Sequence, residues 1–163
     1  MATALWFWAW QATRLRLADP EAAPQASALS LRAPDGATID IADFRGRIVL
    51  VNLWASWCPP CRQETPGLVR VYEEYRDQGF EIVGLNAETL VPEALERIAR
   101  EWGVSYPVGV PLVPLAGTFR HEGVLPTSWL IDREGRVRTV HTGYLLESSL
   151  RSAVRRLLDE SAG

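Results

Sequence analysis

Cysteine is scarce in this 163-residue chain, which has only Cys58 and Cys61. Two thiols exclude a disulfide-stapled scaffold and an all-cysteine zinc site, and with only His121 and His141 a Cys2His2 site would need all four residues to converge. A chain of this length buries about two-thirds of its unfolded surface, so a conventional core is available and both thiols are free for chemistry. Lysine is absent altogether. The 17 basic residues are all arginines against 20 acids, a net charge of −3, which leaves no strongly basic face for phosphates and argues against nucleic acid as a partner. Long hydrophobic runs are lacking too: Met1 to Trp10 is about half of what crosses a bilayer and has no basic residues ahead of it, so it is not a complete signal peptide as written. Trp6, Trp8 and Trp10 followed by Arg14 and Arg16 suit the end of a truncated membrane anchor or an interfacial segment. A segment docked on the domain, or a disordered one, fits the same residues.

Leu17 to Ser27 is rich in Ala and Pro without apolar periodicity, so residues 1–27 read as an N-terminal segment and linker, and 28–163 as one domain. Leu29, Leu31, Ile39, Ile41 and Phe44, with a turn at Asp35-Gly36, suggest an antiparallel hairpin. Ile48 to Trp54 is the nearly continuous apolar run of a strand covered on both faces. Pro59 and Pro60 then fit a first helical turn, followed by Leu68, Val71, Tyr72 and Tyr75 at helical spacing, with a bend expected at Pro66. Phe80 to Leu85 reads as a strand, Pro92 to Trp102 as a helix stopped by Gly103, and Tyr106 to Val110 as a further strand. Pro126 to Asp132 and Arg136 to His141 make a late hairpin before an amphipathic helix through Leu146, Leu150, Val154 and Leu157. This order predicts an α/β sandwich with a mixed sheet flanked by helices and right-handed early crossovers. Arg151, Arg155 and Arg156 read as a solvated helix face.

Cys58-Pro59-Pro60-Cys61 sits where the buried strand hands over to a helix, the end of an α/β sheet at which such folds place their chemistry. Cysteines three apart on a first turn share a face and can close a small disulfide ring. The helix dipole contributes about 0.3 to 1 kcal/mol toward a thiolate on Cys58, roughly one pH unit or less, and direct N–H donors to sulfur must add the rest. Cys58 is thus expected as the nucleophile and Cys61 as the resolving thiol. Arg62 reads as a solvent-exposed helix residue that adds at most some positive potential.

A lone C-x-x-C could equally be half a zinc site, but the whole stretch Val51 to Pro66 resembles the thioredoxin superfamily, specifically its extracytoplasmic TlpA/ResA-like branch of thiol-disulfide oxidoreductases. Phe44-Arg-Gly-Arg47 and Val124-Leu-Pro-Thr-Ser-Trp-Leu-Ile-Asp132 match as well. The resemblance implies a thioredoxin-like fold with an N-terminal β-hairpin and a cis-proline loop at Pro126 facing the cysteine pair. It also implies substrate contacts from the Leu125 backbone and Trp57, with Pro59 and Pro60 bordering the same surface. Ordinary thioredoxins carry a buried acid where this chain has Asn52, and an amide cannot accept the Cys61 proton. Glu88, just after the following strand, is the acceptor expected in its place, with a loop acid as the plainer alternative. Glu64 reads as a first-turn acid complementing the helix dipole.

The resulting expectation is a protein-disulfide reductase at the periplasmic or extracytoplasmic face of the membrane, with no cofactor beyond the Cys58–Cys61 disulfide and no metal. Its partners would be client protein disulfides, in cytochrome c maturation or copper-site assembly, and an upstream membrane thiol reductant; it would be a monomer with a membrane tether at its N-terminus. Pro59-Pro60 lacks the histidine that strongly oxidising relatives place between their cysteines, which points to a potential nearer about −270 mV than about −120 mV. The competing reading is a copper-binding assembly factor using Cys58, Cys61 and His141 or His121. A peroxidase of similar fold would need a Thr-containing peroxidatic-cysteine motif, which the sequence does not contain.

Overall fold

The computed structural model describes residues 14–160, so the Trp-rich stretch at residues 1–10 lies outside the described residues. Seven strands form one mixed sheet: β1 Ser30–Arg32, β2 Thr38–Asp40, β3 Ile48–Trp54, β4 Phe80–Asn86, β5 Val108–Pro111, β6 Thr127–Ile131 and β7 Val137–Thr142, in the order β2-β1-β5-β4-β3-β6-β7. Among the described residues three α-helices accompany them: α1 Pro59–Tyr75, α2 Pro92–Glu101 and α3 Glu147–Glu160. β3 pairs parallel with β4 and β4 with β5, whereas β6 runs antiparallel to β3 and β7 to β6. This is the thioredoxin-like architecture.

Every residue of β3, β4 and β6 is buried, which explains their largely apolar sequences; the polar exceptions Asn52, Glu81, Asn86, Thr127 and Ser128 are buried with them. On β3 the pleat divides the side chains between two cores. Ile48, Leu50 and Trp54 face the cluster that holds Leu68, Leu95, Leu150 and Leu157, while Val49, Val51 and Leu53 face one built from Leu31, Ile41, Phe119 and Trp129. All three α-helices bury their apolar stripes in the first cluster. Two successive right-handed crossovers stepping the same way along the sheet, β3 to β4 to β5, put α1 and α2 on the same face. Among the described residues the opposite face is closed by the N-terminal strands and the short 3₁₀ turns at Ile41–Phe44 and Gly117–Phe119.

Local chemistry moved several boundaries. Ile41 and Phe44 belong to a 3₁₀ turn, Ile41–Phe44, not to the hairpin strand, because the Asp40 side chain caps it by accepting from the Ala42 N–H at 2.9 Å. The strand expected from Tyr106 begins at Val108, since Pro107 has no N–H to give to a ladder. α1 runs unbroken through Pro66. Leu17 to Ser27, expected as a linker, and the residues just before it lie along β7: the Val137 N–H donates to Pro24 O at 2.8 Å, the Ala18 N–H to Arg138 O at 2.6 Å, and Leu15 is buried. Arg138, itself buried, holds this strap by donating to Ala18 O at 2.8 Å while pairing with Glu160 at 2.7 Å and Asp132 at 3.4 Å.

The parallel strands end, and β6 begins, at the same edge of the sheet. Loops 55–58, 87–91, 124–126 and 143–146 all gather there.

Candidate active site

Cys58 is the N-cap of α1, in extended conformation, and its Sγ accepts from the Cys61 N–H at 3.3 Å. The missing N–H groups of Pro59 and Pro60 cost nothing in a first turn, where no helical acceptor lies ahead of them. Cys58 and Cys61 are joined in a disulfide with Cα atoms 5.3 Å apart. Both are nearly sealed from solvent, but Trp57 beside them is 68% exposed. The Leu125–Pro126 peptide is cis, directly before β6, whose Thr127 pairs with Leu53 near the end of β3. Leu125 packs on the cluster that contains both cysteines.

The acid buried in this region is Glu64, not a dipole-complementing surface residue. It follows Cys61 by three positions, one turn further along the same helix face, and is 1% exposed. Its Oε1 accepts from Asn52 Nδ2 at 2.8 Å, its Oε2 from the Leu145 N–H at 2.7 Å, and Asn52 also donates to Ser128 Oγ at 3.0 Å. Both oxygens are held by neutral donors. Burial therefore outweighs the two hydrogen bonds, and the carboxyl pKa is pushed up to about 7. Tyr106, buried and hydrogen-bonded to the Thr65 side chain, is pushed above the usual phenol range by burial and then by the Glu64 charge.

Asn52 occupies the strand position from which ordinary thioredoxins present their acid; here it instead orients a carboxylate arriving from α1. The sequence did hold the signal. Cys61, Glu64, Thr65, Leu68, Val71, Tyr72 and Tyr75 form the buried stripe of α1 at i, i+3, i+4, i+7 spacing, and Glu64 is the charged residue in it.

Glu88 is bound elsewhere. Its Oε2 accepts from the Ser56 N–H at 2.6 Å and its Oε1 from Ser56 Oγ at 2.9 Å, so it braces the turn that leads into Cys58. Asn86 Oδ1 in turn accepts from the Glu88 N–H at 2.9 Å. Arg62 is exposed. Of the two histidines, His141 has its Nε2 3.0 Å from Tyr144 O, and His121 Nδ1 accepts from the Gly123 N–H at 3.1 Å. Among the described residues no group of three or more His, Cys, Asp or Glu converges as metal ligands.

A Cys-x-x-Cys disulfide at a strand-to-helix junction beside a cis-proline loop defines the class as thioredoxin-superfamily. Residues 21–140 match the AhpC/TSA family. The thiol-disulfide oxidoreductase ResA of Halalkalibacterium halodurans is 34% identical over 131 residues, covering 77% of this chain and 71% of that protein. The ResA of Bacillus thuringiensis is 35% identical over 104 residues, and the match spans 63% of this chain but only 59% of that relative. Among solved structures, a thiol:disulfide interchange protein of the thioredoxin family from Chlorobium tepidum superposes with a TM-score of 0.71 at 28% identity, covering 86% of this chain and 99% of that one. The chain belongs to the AhpC/TSA family and, within it, to the ResA-like thiol-disulfide oxidoreductases.

Proposed function

We propose that this protein reduces disulfides of specific extracytoplasmic proteins, with Cys58 as nucleophile, Cys61 as resolving thiol and Glu64 as the acceptor of the Cys61 proton. The observation that carries the reading is the buried carboxyl one helical turn from Cys61, with a pKa of about 7. A group half-protonated near neutral pH can take up and release a proton at little cost in either direction. Glu88, with both oxygens on Ser56, acts as a brace for the turn rather than as the acceptor.

In the reduced enzyme the Cys58 thiolate attacks one sulfur of the client disulfide; that bond breaks, a mixed disulfide forms, and the client's other sulfur leaves as a thiolate that takes a proton. Cys61 then passes its proton to Glu64 and attacks Cys58 Sγ. The Cys58–Cys61 disulfide forms and the client's second sulfur is released, so the client gains two electrons and the enzyme loses two. With no third cysteine, electrons must come from another protein, a membrane thiol reductant.

Trp57, Val91, Val124 and Tyr144 are exposed large apolar side chains on the loops at this end of the sheet and form the face on which a client would settle, beside the Leu125 backbone. Pro59 and Pro60 border it. Such a protein works as a monomer outside the cytoplasmic membrane; among the described residues no helix is long and apolar enough to cross one. Cytochrome c maturation and copper-site assembly are the client classes that family likeness suggests.

Cys61→Ser tests the reading. The variant should accumulate client proteins as mixed disulfides on Cys58, identifiable by mass spectrometry, and Cys58→Ser should accumulate none. Equal trapping by both, or capture of no disulfide-bearing protein, contradicts it.

A further inference from the structure

We propose that His141 is a positioning residue for the buried carboxyl: by donating from Nε2 to the carbonyl of the Tyr144–Leu145 peptide, it fixes and polarises that peptide's N–H against Glu64 Oε2. Both contacts belong to one peptide unit, with Tyr144 O 3.0 Å from His141 Nε2 and the Leu145 N–H 2.7 Å from Glu64 Oε2. A carbonyl oxygen only accepts, so Nε2 must carry its hydrogen. Donation to the C=O of a peptide strengthens donation from its N–H, because hydrogen bonds in a chain polarise one another.

Strand register puts the imidazole where this can happen. Asn52 pairs with Ser128, and Ser128 with His141, so all three side chains lie on the helix-facing side of the sheet. Asn52 holds one carboxyl oxygen of Glu64 directly, while His141 reaches the other through the loop. The loop has a third fixed point, where the Gly143 N–H donates to Pro126 O at 2.8 Å, so the peptide that His141 polarises sits two residues from the chain's tie to the cis-proline. Other titratable groups nearby are Arg14 and Tyr144, which line the small cavity beside His141, and Tyr106, whose energy is linked to the Glu64 charge.

This proposal rests on the proposed role of Glu64 for its consequence, but not for its test. The Glu64 carboxyl is titrated directly by carbon NMR in the oxidised full chain, with Glu64→Gln assigning the resonance. A polarisation of 10 to 30% on a charge-assisted bond predicts that His141→Val raises the Glu64 midpoint by about 0.1 to 0.7 pH unit. His141→Gln, whose amide can place a donor where Nε2 stood, should return the midpoint to the wild-type value. An unchanged midpoint in His141→Val, or a Gln variant that behaves like the Val variant, overturns the proposal. The Glu64 reading fails by a different result, namely a Glu64→Gln enzyme that resolves mixed disulfides at the wild-type rate, and that outcome leaves the midpoint comparison intact.

Discussion

A glutamate in water titrates near 4.5, whereas Glu64, buried between β3 and the loop before α3, titrates at about 7. Between those values the folded state holds a proton that the unfolded chain has released. The folded form is therefore favoured most below about pH 4.5, and that advantage fades as the pH rises through 7. At about 1.4 kcal/mol per pH unit, the gap amounts to roughly 3 kcal/mol. Glu64→Gln should remove it: in urea titrations of the oxidised protein at pH 5 and pH 8, the wild type should lose roughly 2.5 kcal/mol more than the variant, part of the gap being already lost by pH 5. Kinetics provide the matching expectation. Stopped-flow reduction of a model disulfide by Glu64→Gln should show attack by Cys58 little changed but resolution by Cys61 slowed by about 100-fold, as removal of a general base typically does. Glu88→Gln should leave resolution near the wild-type rate. The cysteine pair was legible in the sequence because it stands alone in composition. Glu64 was not, because an acid six residues into a helix reads as a surface charge until its stripe is drawn together with Cys61 and Leu68.

At the scale of elements, strongly patterned segments were readable and short ones were decided by single side chains. β3 announced itself as a nearly continuous apolar run since both its faces are covered, and β4 and β6 were readable as strands. The placement of all three helices on one face depends on the sheet order, and no local pattern encodes that order. The strap at residues 14–27 was unreadable for a related reason: it is held by backbone hydrogen bonds and by Arg138, not by apolar periodicity. The N-terminal strands join the sheet where β1 crosses Gly109 of β5, and a Cβ at that position would come within 2.8 Å of Leu31 Cβ and 2.9 Å of Arg32 O. Backbone cannot step aside as a flexible side chain can. Gly109→Ala should therefore destabilise the protein by about 1 to 3 kcal/mol in urea unfolding, the usual range for overpacking, while the rate of Cys58 attack at 25 °C stays near that of the wild type.

The whole molecule is a sheet whose loops converge at one end on a single reactive pair. Resemblance already implied the fold and the chemistry, because Val51 to Pro66 packs strand, dithiol and helix start into sixteen consecutive residues. The acceptor proposed for the Cys61 proton needed the third dimension, since α1, β3 and the loop before α3 meet at Glu64. Direction of electron flow belongs to this scale, because it is set by the relative stability of the oxidised and reduced folds. Cys58 accepts one N–H, from Cys61, and no histidine stands between the cysteines to stabilise a thiolate. The reduced form thus gains little extra stability, as a reductant requires. Equilibration of the purified protein in a dithiothreitol redox buffer, with the Cys58–Cys61 pair followed by thiol alkylation, measures this directly. The account predicts a potential of about −270 mV, and a value above roughly −170 mV would contradict it.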